Sequence, residues 1–108
     1  MKFSAWPSVT NPWPQLVEEV QHIEAAGWHG IWIGDHFMSF AADNSGPWQE
    51  AWSLLAGLGA LTSRLRLGTL VTGNTYRNPC ILAKIVAQVD IISNGRVILG
   101  IGAGWQEN

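Results

Sequence analysis

An acid and an imidazole stand side by side at Asp35-His36, directly after the apolar run Gly30-Ile31-Trp32-Ile33-Gly34 and before Phe37. A carboxylate and a histidine at the end of a buried strand are costly to bury unless they are paired or used. Histidine titrates near neutrality and can donate or accept a proton, so the pair suits acid–base work or the orientation of a bound group. The plain alternative is a structural His36 capped by Asp35. Glu50 is a further carboxylate at the start of an apolar helical pattern. It suits the positive end of a helix dipole, with a role in a site as the alternative. His22 and His29 have no acidic or cysteine partner at ligand spacing and read as surface or boundary residues. No metal-ligand pattern and no serine nucleophile elbow occurs in the chain.

Something must carry that pair to a site. The run before Asp35 reads as a strand buried on both faces, as in a parallel sheet. Ligands of α/β folds bind beyond the carboxyl ends of such strands. Residues 2–6 predict an earlier strand, closed by Pro7. A helix is expected to begin near Pro12 or Pro14, with Leu16, Val20, Ile23 and Ala26 at helical spacing and Gly27 ending it. Residues 38–47 form a loop that is long for a βα connection, either part of a site or a tolerated insertion. Residues 48–62 predict a second helix. Gly57 and Gly59 inside it imply close approach of its backbone to a sheet.

Residues 65–72 predict a third strand, in which Gly68 marks a close approach or a bulge. Asn78-Pro79 is an N-cap followed by proline at the first helical position. Ile81, Leu82, Ile85, Val86, Val89 and Ile92 make the apolar face of the helix that follows, and Ser93-Asn94-Gly95 ends it. Residues 96–101 predict a fourth strand before a glycine-rich turn. The strands recur about every 30 to 35 residues, which suits repeated βα units with parallel pairing. The expected fold is therefore α/β and strand-first, either an open sheet or half of an eight-stranded barrel. Half a barrel exposes two strand edges and an apolar face. The expectation is a truncated piece of a longer protein or a self-associating half.

Composition narrows the function classes. Apolar residues make up 47% of the 108 and charged residues only 13%, against a usual charged share of ~25%. With seven tryptophans, the chain is mostly interior or expects a covering partner. A net charge of −2 with scattered basic residues leaves no footprint for nucleic acid. The lone Cys80 allows no intrachain disulfide and suits a reducing cytosol. No apolar run reaches membrane-spanning length. A soluble cytoplasmic protein is expected.

Several motifs in order then suggest a family. Trp6-Pro7-Ser8, Ile33-Gly34-Asp35-His36-Phe37, Leu67-Gly68-Thr69-Leu70-Val71-Thr72-Gly73-Asn74-Thr75-Tyr76-Arg77-Asn78-Pro79, Ala83-Lys84, Asp90 and Ser93-Asn94-Gly95-Arg96, followed by Leu99-Gly100-Ile101-Gly102-Ala103-Gly104-Trp105, together resemble the luciferase-like flavin and deazaflavin oxidoreductases. The branch most resembled uses coenzyme F420. The resemblance implies a single partial domain over residues 1–108, the N-terminal half of a (β/α)8 TIM barrel. It implies hydride transfer at a deazaflavin, or oxygenation with FMN as the alternative cofactor, on a small-molecule substrate. It places His36 beside the reactive ring, as a base or an orienting group, with Asp35 steadying it. It also implies a bulge with a non-prolyl cis peptide at Leu70-Val71 backing the ring, Thr72 at the ring edge, and Gly102 and Gly104 letting backbone approach the cofactor.

Two departures stand out. Some sugar-oxidising members carry a carboxylate after the fourth strand's glycine turn, where this chain has Trp105. The loops after strands seven and eight, which bind phosphate in such barrels, lie outside these 108 residues. A catalytically inactive, self-associating half-barrel is therefore a third reading. Gly100-Ile101-Gly102-Ala103-Gly104 also resembles a dinucleotide fingerprint, but it lacks the third glycine spacing, the following helix and the distal acid.

Overall fold

The computed structural model describes residues 1–41, 43 and 45–104. Five short strands and three helices alternate: β1 (Ser4–Ala5), α1 (Trp13–Ala25), β2 (Gly30–Asp35), α2 (Ala51–Leu61), β3 (Arg66–Gly73), α3 (Pro79–Ile92), β4 (Val97–Ile98) and β5 (Ile101–Gly102). The sheet order is β1-β2-β3-β4, β5 also pairs with β3, and every pairing is parallel. The architecture is that of strand-first βα units in the first half of a (β/α)8 barrel. Trp105, the residue after the glycine-rich turn, lies outside the described residues.

Local signals set the helix ends. Pro12 stands at the N-cap of α1, and Gly27 follows its end with φ +85°, a left-handed conformation that glycine adopts without penalty. Asn78 caps α3, its side chain accepting from Cys80 N at 2.9 Å. The second helix starts at Ala51, three residues later than the apolar pattern suggests. Glu50 is its cap, accepting from the backbone N–H of Trp52 at 3.2 Å and of Ser53 at 2.7 Å. The two glycines of α2 have different neighbours. A Cβ on Gly59 would stand 3.1 Å from Leu67 of β3, the close approach to the sheet expected, whereas one on Gly57 would meet the indole of Trp13 in α1 at 2.7 Å.

The core lies between one sheet face and the helices. Leu16 and Val20 of α1, Ile31 and Ile33 of β2, Leu55 and Leu58 of α2, and Leu67 of β3 are fully buried there. The third helix buries less than its pattern suggests: Leu82 and Val89 are buried, while Ile81 and Ile92 are exposed. On the opposite sheet face the ring of Trp32 lies over Gly68, where a Cβ would sit 2.4 Å from it.

One irregularity organises the rim. From Ile33↔Thr69 to Asp35↔Thr72, β2 advances two residues while β3 advances three. From Gly68↔Ile98 to Thr72↔Ile101, β3 advances four while the next strand advances three. A single extra residue in β3 therefore shifts register on both sides, as a bulge does. It also splits the predicted fourth strand into β4 and β5. The Leu70–Val71 peptide within it is cis. The bulge thus lies past Gly68, which instead marks the close approach of Trp32. Among the described residues, no helix is long and apolar enough to cross a membrane.

Candidate active site at the strand ends

The ends of β1, β2, β3 and β5 converge on one cavity of about 240 Å³, lined by Trp6 after β1, Asp35 and His36 at the end of β2, Leu70 and Val71 in the bulge, and Gly104 after β5. Phe40 and Tyr76, from the loops after β2 and β3, complete its wall with Gly73. Five residues singled out from sequence are therefore brought together: Asp35, His36, Leu70, Val71 and Gly104.

His36 stands among aromatic rings. Its imidazole meets Phe40 edge-on at 4.7 Å between centroids, Trp48 at 5.9 Å and Tyr76 at 6.5 Å. Edge-to-face contacts of this kind help to fix the orientation of a ring. The Nε1–H of Trp48 is buried and has no hydrogen-bond partner among the described residues.

Asp35 is 1% exposed. Its carboxylate is gripped by Arg77, with Nη1 donating to Oδ2 at 2.6 Å and Nη2 to Oδ1 at 3.0 Å. Arg77 Nη2 also donates to Glu50 Oε1, and the guanidinium lies over the Phe37 ring at 5.4 Å, within cation–π reach. Burial works against the Arg77 charge, but the carboxylates of Asp35 and Glu50 outweigh it and hold the group above its ordinary value. Partial burial likewise raises Glu50, yet the bonds from Ser53, Trp52 and Arg77 bring it below the usual glutamate range. Glu50 thus caps α2 and holds Arg77 at once. The partner that steadies Asp35 is Arg77, 42 residues away. The rule that a buried carboxylate needs a cation calls for such a partner without saying which basic residue supplies it.

The bulge gives a different account of Thr72 from that drawn at sequence level. Leu70 and Val71 are both exposed, at 47% and 40%, while Thr69 and Thr72 on either side are fully buried. The Thr72 hydroxyl accepts from Trp52 Nε1 at 3.1 Å and donates to Thr69 Oγ1 at 3.0 Å. Its side chain turns towards α2, and Leu70 and Val71 take the place on the cavity wall. Gly102 stands behind that wall: a Cβ there would be 2.6 Å from Val71 Cγ2. Gly104 has φ +87°, and a Cβ on it would crowd Thr75 Oγ1 at 3.0 Å.

A planar tricyclic ring needs an apolar bed, room for close approach and a titratable group at its edge. The paired Leu70–Val71 ledge, the glycines behind and beyond it, and His36 across the cavity fit those needs. Among the described residues, no cluster of three or more His, Cys, Asp or Glu is placed to hold a metal ion.

The chain is similar in sequence and fold to known proteins. The chain is 37% identical over 91 residues to the F420-dependent glucose-6-phosphate dehydrogenase of Amycolatopsis mediterranei, covering 82% of this chain and 27% of that protein. It is 38% identical over 95 residues to the F420-dependent hydroxymycolic acid dehydrogenase of Mycobacterium tuberculosis, covering 87% and 26%. Its fold superposes on an F420-dependent secondary alcohol dehydrogenase, solved in complex with an F420-acetone adduct, with a TM-score of 0.81 at 25% identity, over 96% of this chain and 32% of that one. The chain thus spans about a quarter to a third of the length of these relatives. The luciferase-like monooxygenase family matches residues 1–108. From that match together with these relatives, the chain belongs to the luciferase-like monooxygenase family.

Proposed function

We propose that this chain is the N-terminal part of an F420-dependent oxidoreductase, the first half of its barrel, carrying the cavity wall against which the deazaflavin rests. The observation that carries the reading is the convergence of His36 and the Leu70–Val71 ledge on one cavity at the strand ends. The F420-dependent relatives and the F420 adduct bound by the structural neighbour support this cofactor over FMN. Bound against the ledge, the deazaflavin would exchange a hydride with a carbon of a small-molecule substrate.

The protein's own part is proton handling and exclusion of water. As a substrate carbinol loses its hydride, its hydroxyl proton must leave, and His36 is the group at the rim suited to take it. In the reverse direction the imidazolium returns the proton to the forming alkoxide. Trp6, Phe40 and Tyr76 provide apolar wall around that transfer.

The reading includes a reducing cytoplasmic setting, consistent with the exposed single thiol of Cys80. It also includes self-association, for which the outer edge of β1 and the exposed Leu99 and Ile101 supply surface. Light scattering on the purified protein tests that part.

The decisive experiment titrates the full-length protein with F420 and, separately, with FMN, and then assays F420 reduction against a panel of alcohols. Saturable F420 binding with alcohol-dependent loss of F420 absorbance is expected. Saturable binding of FMN alone would transfer the protein to the monooxygenase branch. Titrating the 108-residue chain alone tests the inactive, self-associating reading, which binding of either cofactor at micromolar affinity would sink.

A further inference from the structure

We infer that Arg77 is a positioning residue for His36, and that the Asp35–Arg77–Glu50 network sets the width of the cavity between His36 and Tyr76. This rests on the proposed role of His36. Two three-residue segments interlock at the rim. Asp35, His36 and Phe37 leave the end of β2, and Tyr76 and Arg77 precede the Asn78 cap of α3. Asp35 binds Arg77 through two hydrogen bonds at 2.6 and 3.0 Å. The His36 and Tyr76 rings meet edge-on at 6.5 Å between centroids. Phe37 packs on Tyr76 at 4.8 Å and lies beneath the Arg77 guanidinium at 5.4 Å. Asp35 thus both lines the cavity and clamps Arg77, and the lining residues His36 and Tyr76 are the chain neighbours of that pair.

The clamp has three anchors on three elements. Asp35 belongs to β2, Glu50 caps α2, and Arg77 sits in the β3–α3 loop. An arginine fork can satisfy both carboxylates at once because its donors are planar and divergent, which a lysine ammonium cannot reproduce. The Arg77 side chain is 11% exposed and that of Asp35 is 0% exposed, so little solvent screens the pair. Its geometry holds the backbone just before His36 and just after Tyr76. Displacement of a reacting group by about 1 Å can cost 100-fold in rate.

The test uses the full-length protein with Arg77→Lys and Arg77→Gln, and a His36→Asn variant to assign the His36 ring resonances by NMR without cofactor. The lysine keeps the charge beside Asp35 and guards against loss of fold. In Arg77→Lys, folded by circular dichroism, the His36 ring resonances are expected to move as the surrounding rings shift. The kcat is expected to fall about 10- to 100-fold, with KM nearly unchanged. Arg77→Gln is expected to move both readouts further. Wild-type His36 resonances in a folded Arg77→Lys protein would overturn the inference, whatever its melting temperature. So would a fall in turnover with those resonances unmoved. Displaced resonances in a wild-type background that shows no F420 turnover would uphold the positioning role while removing the proposed function.

Discussion

The indole of Trp52 donates its Nε1–H to the hydroxyl of Thr72 at 3.1 Å, and that bond is the first link of a buried relay. Thr72 Oγ1 donates to Thr69 Oγ1 at 3.0 Å, and Thr69 Oγ1 donates to the carbonyl of Gly100 at 2.8 Å. Each hydroxyl gives one hydrogen bond and takes one. The relay joins α2, both sides of the bulge and the segment between β4 and β5. Replacing Thr72 by valine keeps the shape and strands the Trp52 donor in a dry site. A loss of about 1–3 kcal/mol is expected, read from denaturant unfolding. Trp52→Phe removes the donor instead of orphaning it, so it should cost less.

Glu24 supports the opposite end of the sheet. Its Oε1 accepts from the backbone N–H groups of Ser63, Arg64 and Leu65 at 3.0, 2.7 and 3.1 Å. Burial raises its pKa, but these bonds outweigh burial and hold it below the ordinary 4.5. A carboxyl whose folded pKa is depressed stabilises fully above its unfolded value and ceases to do so as pH falls through the folded one. Thermal unfolding between pH 7 and pH 3 should therefore fall off less steeply below the ordinary glutamate value in Glu24→Gln. At neutral pH that variant should be less stable by about 1 kcal/mol, after allowance for partial exposure.

Arg96 is a buried cation satisfied by oxygen dipoles. Its guanidinium donates to Gly59 O at 2.6 Å, Thr62 O at 2.8 Å, Leu65 O at 2.9 Å, Thr62 Oγ1 at 3.0 Å and Ser93 O at 2.5 Å. Burial pushes it below the usual arginine value, with Glu24 opposing that fall. Because Gly59 and Thr62 close α2, Arg96 satisfies carbonyls that the helix end leaves open. Arg96→Lys should lose about 2–3 kcal/mol, since one ammonium cannot reach all five acceptors. Chemical denaturation measures it.

The ledge can be tested from behind. In Gly102→Ala the new methyl would crowd Val71 Cγ2, at 2.6 Å if nothing moved. Overpacking of this kind costs about 1–3 kcal/mol. If the crowding tilts Val71 into the ring's place, F420 affinity should fall about tenfold or more, with a smaller change in melting temperature. Fluorescence titration with F420 reports it.

Much of this frame is legible in the residues themselves. The apolar runs mark β2 and β3, Asn78-Pro79 starts α3, and Asp35-His36 lies at the rim as its place after β2 requires. The resemblance implies the bulge at Leu70-Val71 but not that the Thr72 side chain turns from the cavity towards Trp52. One added residue in β3 puts Thr69 and Thr72 on the same side and Leu70 and Val71 together on the other. Arg77 carried no local sign at all: its partner is 42 residues earlier, and only the folded rim brings them within reach. The late start of α2 follows from Glu50, whose carboxylate takes the first free N–H groups of the helix where the apolar pattern had already begun.

The Trp32 ring spread over Gly68 makes the open side of the sheet uneven. One indole fills the footprint of two side chains at that level, on two neighbouring strands. Whatever closes over this side has to accommodate that ring.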